Sequence, residues 1–289
     1  MSADASLVWL LGALLALVAG LLIGSAVATV AARLPLGLPL FAPPDCVRRK
    51  QRLPWADAIP IWGYLRRRGR CRVCGLALPR WWPILEAAMA LLALLAYISA
   101  GGWNGRFVLY LFDLAVLLTV LIMDWRRHEI YTVVLLAGAL GGLIGGFLLP
   151  EIGLGGIVWG ALVGGVIMLI MYGLGRVLGR IRYGREGLAW GDVELAVMLG
   201  LITGFPGIVT PLFWGPIVGV ALFLRRGLGN YFPFAPGLCL VTMMFLLTHT
   251  SREPLWETLR LPLLGNIFAF IGLIIWGVIR AILGIPRGG

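Results

Sequence analysis

Apolar runs separated by short polar or basic segments dominate the chain. They lie near 7–32, 83–100, 107–123, 130–149, 156–175, 193–204, 207–224, 237–250 and 263–283. Several reach the roughly 20 residues that a helix needs to cross the hydrocarbon core of a bilayer. The pattern predicts an all-α fold, a polytopic transmembrane helix bundle of about eight or nine spans. The 193–204 and 237–250 segments are short for a span, which predicts that they are tilted, broken or packed inside the bundle. Composition agrees: 60% of residues are hydrophobic and only 13% charged.

Residues 1–32 have a second reading as a secretory signal peptide, with Ala26 and Ala28 resembling a cleavage site. No Lys or Arg precedes Arg33, so the basic n-region is missing, and the apolar run exceeds a usual h-region. The segment is read as the first membrane span. Lys and Arg accumulate in cytoplasmic loops. With the N-terminus outside, 21 of the 24 basic residues collect on one face, and only Arg106, Arg252 and Arg260 fall on the other. The cytoplasmic side then holds residues 33–82 together with the carboxylates Asp124 and Asp192. The net charge of +11 is thereby explained by topology and by attraction to anionic membrane lipids, not by nucleic-acid binding.

The insert at 33–82 is a candidate soluble subdomain. Seven prolines between Pro35 and Pro79 exclude long helices and predict a compact, loop-rich unit rich in Pro, Arg and Cys. So small a unit needs a staple. Cys71 and Cys74 have the two-residue spacing of a zinc knuckle, and Cys46 precedes them. Three residues after Cys46, where a second such pair would close, stands Arg49. The cysteines are read either as zinc ligands or as free thiols in a reducing cytoplasm; a disulfide fits that compartment least. Cys239, in an apolar run, is read as a small buried hydrophobe. Gly138/Gly142/Gly146 and Gly156/Gly160/Gly164 recur at four-residue spacing, which predicts close approach of helix backbones.

Candidate chemistry concentrates on two aspartates. Asp124 ends the run Phe107–Met123, and Asp192 opens the run that begins at Val193. A carboxylate at a membrane boundary is costly unless paired, protonated or wetted, so each is a functional candidate. The structural alternative is that each caps a helix or pairs with a nearby arginine. Asp113 lies inside a span, about 16 Å along the helix from Asp124, and cannot be its partner there; it is read as a bundle-facing polar contact. Glu86 and Glu194 are expected near cytoplasmic helix ends, lining a wet cavity or simply solvated. His128 and His249 are read as interfacial polar residues.

Ala189-Trp190-Gly191-Asp192 resembles the Gly-x-Gly-Asp motif of intramembrane aspartyl proteases. The flanking order extends the likeness. Gly24-Ser25 with Arg33-Leu34-Pro35, Trp55–Pro60, Gly69–Cys74, then Arg80, Pro83 and Glu86, and finally Pro233-Phe234-Ala235-Pro236 together resemble the type IV prepilin peptidases. The matches run over roughly residues 24–237. Ala28, Ala58, Ala189 and Ala235, with Arg49 and Tyr131, depart from the family pattern; Arg49 replaces one of four loop cysteines.

The resemblance implies an aspartic endopeptidase with Asp124 and Asp192 as the catalytic pair, supported by Ala189, Gly191, Pro233, Phe234 and Pro236. It implies a multi-pass protein of the inner membrane that cuts prepilin or pseudopilin precursors at the cytoplasmic face. It implies zinc at Cys46, Cys71 and Cys74 and S-adenosylmethionine as the donor for N-methylation of the cut product, an activity that the altered loop weakens. The expected organisation is a first helix at 1–32, the cysteine loop at 33–82, a peptidase core at 83–250 and a C-terminal extension with a further span at 251–289. A transporter would place such carboxylates near the bilayer midplane, and an inactive secretion-system scaffold would leave them too far apart to meet.

Overall fold

The computed structural model describes residues 3–40, 46, 49, 51–149, 153–183, 189–224 and 234–248. The expected span at 263–283, His249 and Pro233 lie outside the described residues. Among the described residues the fold is helical, with no named strand. The elements are α1 (Ala3–Arg33), α2 (Trp62–Arg66), α3 (Trp81–Ala100), α4 (Gly105–Arg127), α5 (Thr132–Leu148), α6 (Gly153–Tyr183), α7 (Trp190–Thr203), α8 (Val209–Leu224) and α9 (Phe234–Thr248). Four stretches are long and apolar enough to cross a membrane: Ser6–Leu36, Trp81–Ala100, Gly105–Arg127 and Gly153–Val177. The remaining apolar helices are shorter, and α7 spans only 14 residues.

The chain divides into two compact units, Met1–Ile122 and Met123–Gly289, so the boundary falls within α4. In the first unit α1 lies along α3. Small residues make the contact: a Cβ on Gly20 would sit 2.6 Å from Ala90 Cα, and one on Gly24 2.7 Å from Glu86 Cα. Backbones therefore touch directly, the way helices associate where no water drives them together. Above this seam Tyr97 donates to the Trp9 carbonyl at 3.2 Å and Trp103 Nε1 to the Gly12 carbonyl at 3.0 Å. Phe107 meets the rings of Tyr97 and Trp103 edge-on, and those two rings are tilted against each other. The outward face of α1 is left apolar, with Leu14, Leu15 and Leu22 exposed, as a lipid-facing surface requires.

Helix ends follow residue chemistry. Pro35 follows the last residue of α1 by two positions and starts a 3₁₀ turn, Leu34–Leu36, because proline cannot continue the ladder. At the end of α3, Gly101 adopts φ +73° and its N–H returns to the Ile98 and Tyr97 carbonyls, the left-handed stop that favours glycine.

Among its described residues the loop-rich insert contains the 3₁₀ turns Leu34–Leu36 and Trp55–Ala58 and the five-residue α2, as its prolines predict. Glu86 pins it to α3. Its carboxylate accepts the Ile61 N–H at 2.6 Å, holding a non-glycine residue at φ +57°. Glu86 is buried, so the solvated alternative does not hold.

In the second unit α7 is the central element and lies against α5, α6 and α9. Glycines again set the spacing. A Cβ on Gly164 would meet the Ala196 carbonyl at 2.7 Å, one on Gly142 the Leu201 backbone at 2.6 Å, and one on Gly200 the Gly160 backbone. The four-residue glycine periods therefore serve packing. α8 and α9 approach through Gly215 and Gly237 in the same way.

Candidate active site

Asp124 stands in the last turn of α4. The helix ends because His128, at φ +56°, returns its N–H to the Asp124 carbonyl at 2.9 Å. Only 7% of Asp124 is exposed, and its Oδ2 is buried without a hydrogen-bond partner. A buried carboxylate oxygen with nothing to bind is costly, and such orphaned atoms mark places where a proton, water or substrate is expected.

Asp192 sits in the first turn of α7, also buried. Ala189 precedes the helix at φ −90°, ψ 153° and offers no side-chain acceptor. Asp192 reaches back instead, and its Oδ2 accepts the Ala189 N–H at 3.2 Å. This is half of a capping box, so the capping role anticipated for Asp192 is real, and it occupies one oxygen. A negative group here is also favoured by the positive end of the helix dipole. The extended backbone at Ala189 does not require glycine, so this departure from the Gly-x-Gly-Asp pattern is harmless to the turn. A Cβ on Gly191 would lie 3.1 Å from Ile130 Cβ, so Gly191 makes room for the start of the 130–149 segment.

The two aspartates interact electrostatically. Cys239, in α9 and completely buried, interacts with both. The end of α4, the start of α7 and the first turns of α9 therefore converge. Phe234, the first residue of α9, packs on the cluster of Met168, Val193 and Ala196, next in sequence to Asp192. Ala235 and Pro236 are buried in the same turn. The approach of Cys239 was not anticipated; its position three residues after Pro236 was the available signal. Asp113, in the first unit, is buried with Oδ1 unpartnered, and Glu194 accepts from Thr132 Oγ1 at 2.9 Å. His128 is exposed.

The cysteine loop forms a separate constellation in the first unit. The sulfurs of Cys46, Cys71 and Cys74 all lie within 4.8 Å of one another, a group able to hold a metal ion. A backbone hydrogen bond with Leu76 lowers the Cys74 pKa, but the side chains of Cys46 and Cys71 and desolvation outweigh it and leave the thiol above its ordinary value. Three thiols crowd together; a cation among them would favour the thiolates.

A model of the bacterial peptidase A24 N-terminal domain matches residues 18–100, and one of the type IV leader peptidase family matches 111–224, which contains both aspartates. The chain belongs to the type IV leader peptidase family. It is 30% identical to a prepilin leader peptidase/N-methyltransferase of Aeromonas hydrophila over 200 residues, 66% of each chain. The relative of the same name from Klebsiella pneumoniae is 30% identical over 196 residues, 64% of this chain and 82% of that one. The one from Pseudomonas putida is 27% identical over 255 residues, 78% and 87% of the two chains. No solved structure matches this leader peptidase family member.

Proposed function

We propose that this chain is a membrane aspartyl endopeptidase that removes the leader from type IV prepilins or type II secretion pseudopilins at the cytoplasmic face of the inner membrane. The observation that carries the reading is the burial of both Asp124 and Asp192 at the ends of two apolar helices, with the Asp124 Oδ2 lacking a hydrogen-bond partner. Two carboxylates this placed share a proton, because ionising both costs too much. One then acts as base toward a water that attacks the scissile carbonyl, and the other protonates that carbonyl or the leaving amine. The roles belong to the pair and not to either residue. The Asp192 oxygen held by the Ala189 N–H fixes the carboxylate, while Cys239 and Phe234 wall the site with apolar surface.

The substrate is an extended basic leader joined to an apolar helix, which suits a carboxylate pair at a membrane surface. Loss of cleavage of a purified prepilin on both Asp124→Asn and Asp192→Asn, with helicity and melting unchanged, is the expected result. Near-normal turnover of either variant would sink the assignment. The transporter reading is less well supported, since the carboxylates sit at helix ends and not at mid-helix.

A zinc ion at Cys46, Cys71 and Cys74 would act as the structural staple of the loop. The relatives' name includes N-methyltransferase, and S-adenosylmethionine is the corresponding methyl donor for the new N-terminus. With Arg49 in place of a fourth thiol, methylation is expected to be weak or absent, while leader cleavage, which rests on the aspartates, persists.

A further inference from the structure

Glu86 sets the depth of the loop as well as its attachment. α3 has 20 residues, Trp81–Ala100, about 30 Å of helix and the thickness of a bilayer core. Exposed Arg80 precedes it, and Trp81 and Trp82 open it, side chains typical of the level where a span meets the headgroups. Glu86 lies five residues further on, about 7.5 Å along the axis. Its bond to the Ile61 N–H at 2.6 Å therefore holds the turn at Ile61 where headgroups give way to acyl chains, not above the surface.

The segment held there is the inverse of a water-facing turn. On one side of α2, Gly63 is buried, and Arg67, one turn later, points inward and donates to the Gly63 and Asp57 carbonyls, both at 2.8 Å. The other side carries Trp62 and Leu65, each 61% exposed, with Ile59 just before the helix 49% exposed. A contiguous apolar face at a polar rim marks a contact surface. Arg66 and Arg68, both exposed, form that rim, Arg66 lying one turn from Trp62. The turn is closed by the Arg68 N–H on the Leu65 carbonyl at 2.9 Å and the Gly69 N–H on the Tyr64 carbonyl at 3.0 Å, so these side chains are presented by a preformed unit.

We propose that residues 59–68 are an interfacial anchor, with Ile59, Trp62 and Leu65 lying among the lipids of the cytoplasmic leaflet and Arg66 and Arg68 holding the phosphates of anionic phospholipids. Depth and charge together name the occupant. The turn is tied to a span at headgroup level, so lipid meets its apolar face without any partner being recruited. Long arginine side chains reach from an immersed turn back to the phosphates, which they bind through paired N–H groups, and an anionic leaflet attracts them. Such a pairing of an apolar face with a basic rim is how short elements lie in a membrane surface. The loop is then a fixture of the membrane surface and not a freely tumbling domain. The inference rests on the membrane topology and is independent of the peptidase reading.

Brominated lipid chains quench tryptophan emission on contact, and the difference between the full chain and Trp62→Phe isolates Trp62 from the other tryptophans. Both proteins are placed in nanodiscs of phosphatidylcholine, with and without phosphatidylglycerol, the chains brominated near the glycerol end. Trp62 emission should be quenched in both lipids and more strongly with phosphatidylglycerol. The increment should vanish at high salt and in an Arg66→Gln/Arg68→Gln double variant, which should keep the quenching seen in phosphatidylcholine. Leu65→Glu should weaken quenching in both lipids. Unchanged helicity and melting would show that these exposed substitutions leave the fold intact. Emission unquenched in both lipids would place the face in water and overturn the anchor. Quenching equal with and without phosphatidylglycerol, in parent and double variant alike, would overturn the role of the arginines. Unquenched emission that changes with the number of chains per nanodisc would assign the face to a second copy and overturn the lipid as occupant. Leader cleavage is not read in any arm, so the peptidase assignment stands or falls separately.

Discussion

Ala189 and Arg49 both depart from the family pattern, one beside the aspartates and one in the cysteine loop, and they differ in weight. Ala189 precedes α7 with an extended backbone that any residue adopts, and its N–H is still accepted by the Asp192 carboxylate, the half of the capping box that asks nothing of the side chain at 189. Arg49 brings no donor atom to the three thiols, and in the proposed metal site every donor counts. A backbone role can be filled by many residues if the conformation permits; a ligand role cannot. The aspartate end thus keeps the groups that the proposed chemistry calls for, while the cysteine loop brings three thiols together.

The sharpest way to break this contrast is to disable each side in turn. Asp124→Asn and Asp192→Asn should each lower leader cleavage by at least about 100-fold, the scale of a lost general acid or base, measured on a prepilin substrate. Cys71→Ser or chelation should leave the same assay largely intact. The opposite outcome would mean that the loop, not the aspartates, limits the reaction.

Second in size is the anchoring of the loop. Glu86→Ala leaves the Ile61 N–H without its acceptor and should cost about 1–3 kcal/mol, read as faster proteolysis within 51–79 and a lower melting temperature. Glu86→Gln keeps an acceptor and should recover most of it. Equal losses in the two variants would show that the hydrogen bond is not what holds the loop.

Smaller effects sharpen the aspartate side. Gly191→Ala should cost about 1 kcal/mol, because the new methyl presses on Ile130, and Ile130→Val should relieve part of that cost in a double-mutant cycle. Ala189→Gly should be nearly silent, within about 0.5 kcal/mol. If Ala189→Gly instead raised cleavage strongly, the alanine would be a real loss of function and the two departures would be alike.

Hydropathy made the long helices legible, since α1, α3, α4 and α6 each contain a long apolar run, broken in α4 by Asp113. It was weaker at the ends. The segment expected from 237 begins at Phe234, because Pro236 falls in the first turn of α9, where a missing N–H costs nothing. The segment expected at 193–204 begins at Trp190, which puts Asp192 inside the helix rather than before it. The 156–175 run continues as helix to Tyr183, since arginines are compatible with helix beyond a membrane. Motif order pointed to Asp124, Asp192 and the three cysteines. It could not reveal Ile130 over Gly191, Cys239 beside both carboxylates or Glu86 bonded to Ile61, because each joins residues distant in sequence through tertiary packing.

The bond between Glu86 and Ile61 has a consequence for biosynthesis. Ribosomes deliver the chain in order, so the cysteine loop leaves the exit tunnel before α3 does, and α1 enters the bilayer before the helix whose backbone it touches at Gly20 and Gly24. Until residue 86 emerges, the left-handed conformation at Ile61 has no acceptor to hold it. The loop is therefore finished late, by a helix made after it, and a chain truncated before Trp81 and held on the ribosome by a linker long enough to clear the tunnel should expose the 51–79 region to protease, whereas one truncated beyond Ala100 on the same linker should protect it.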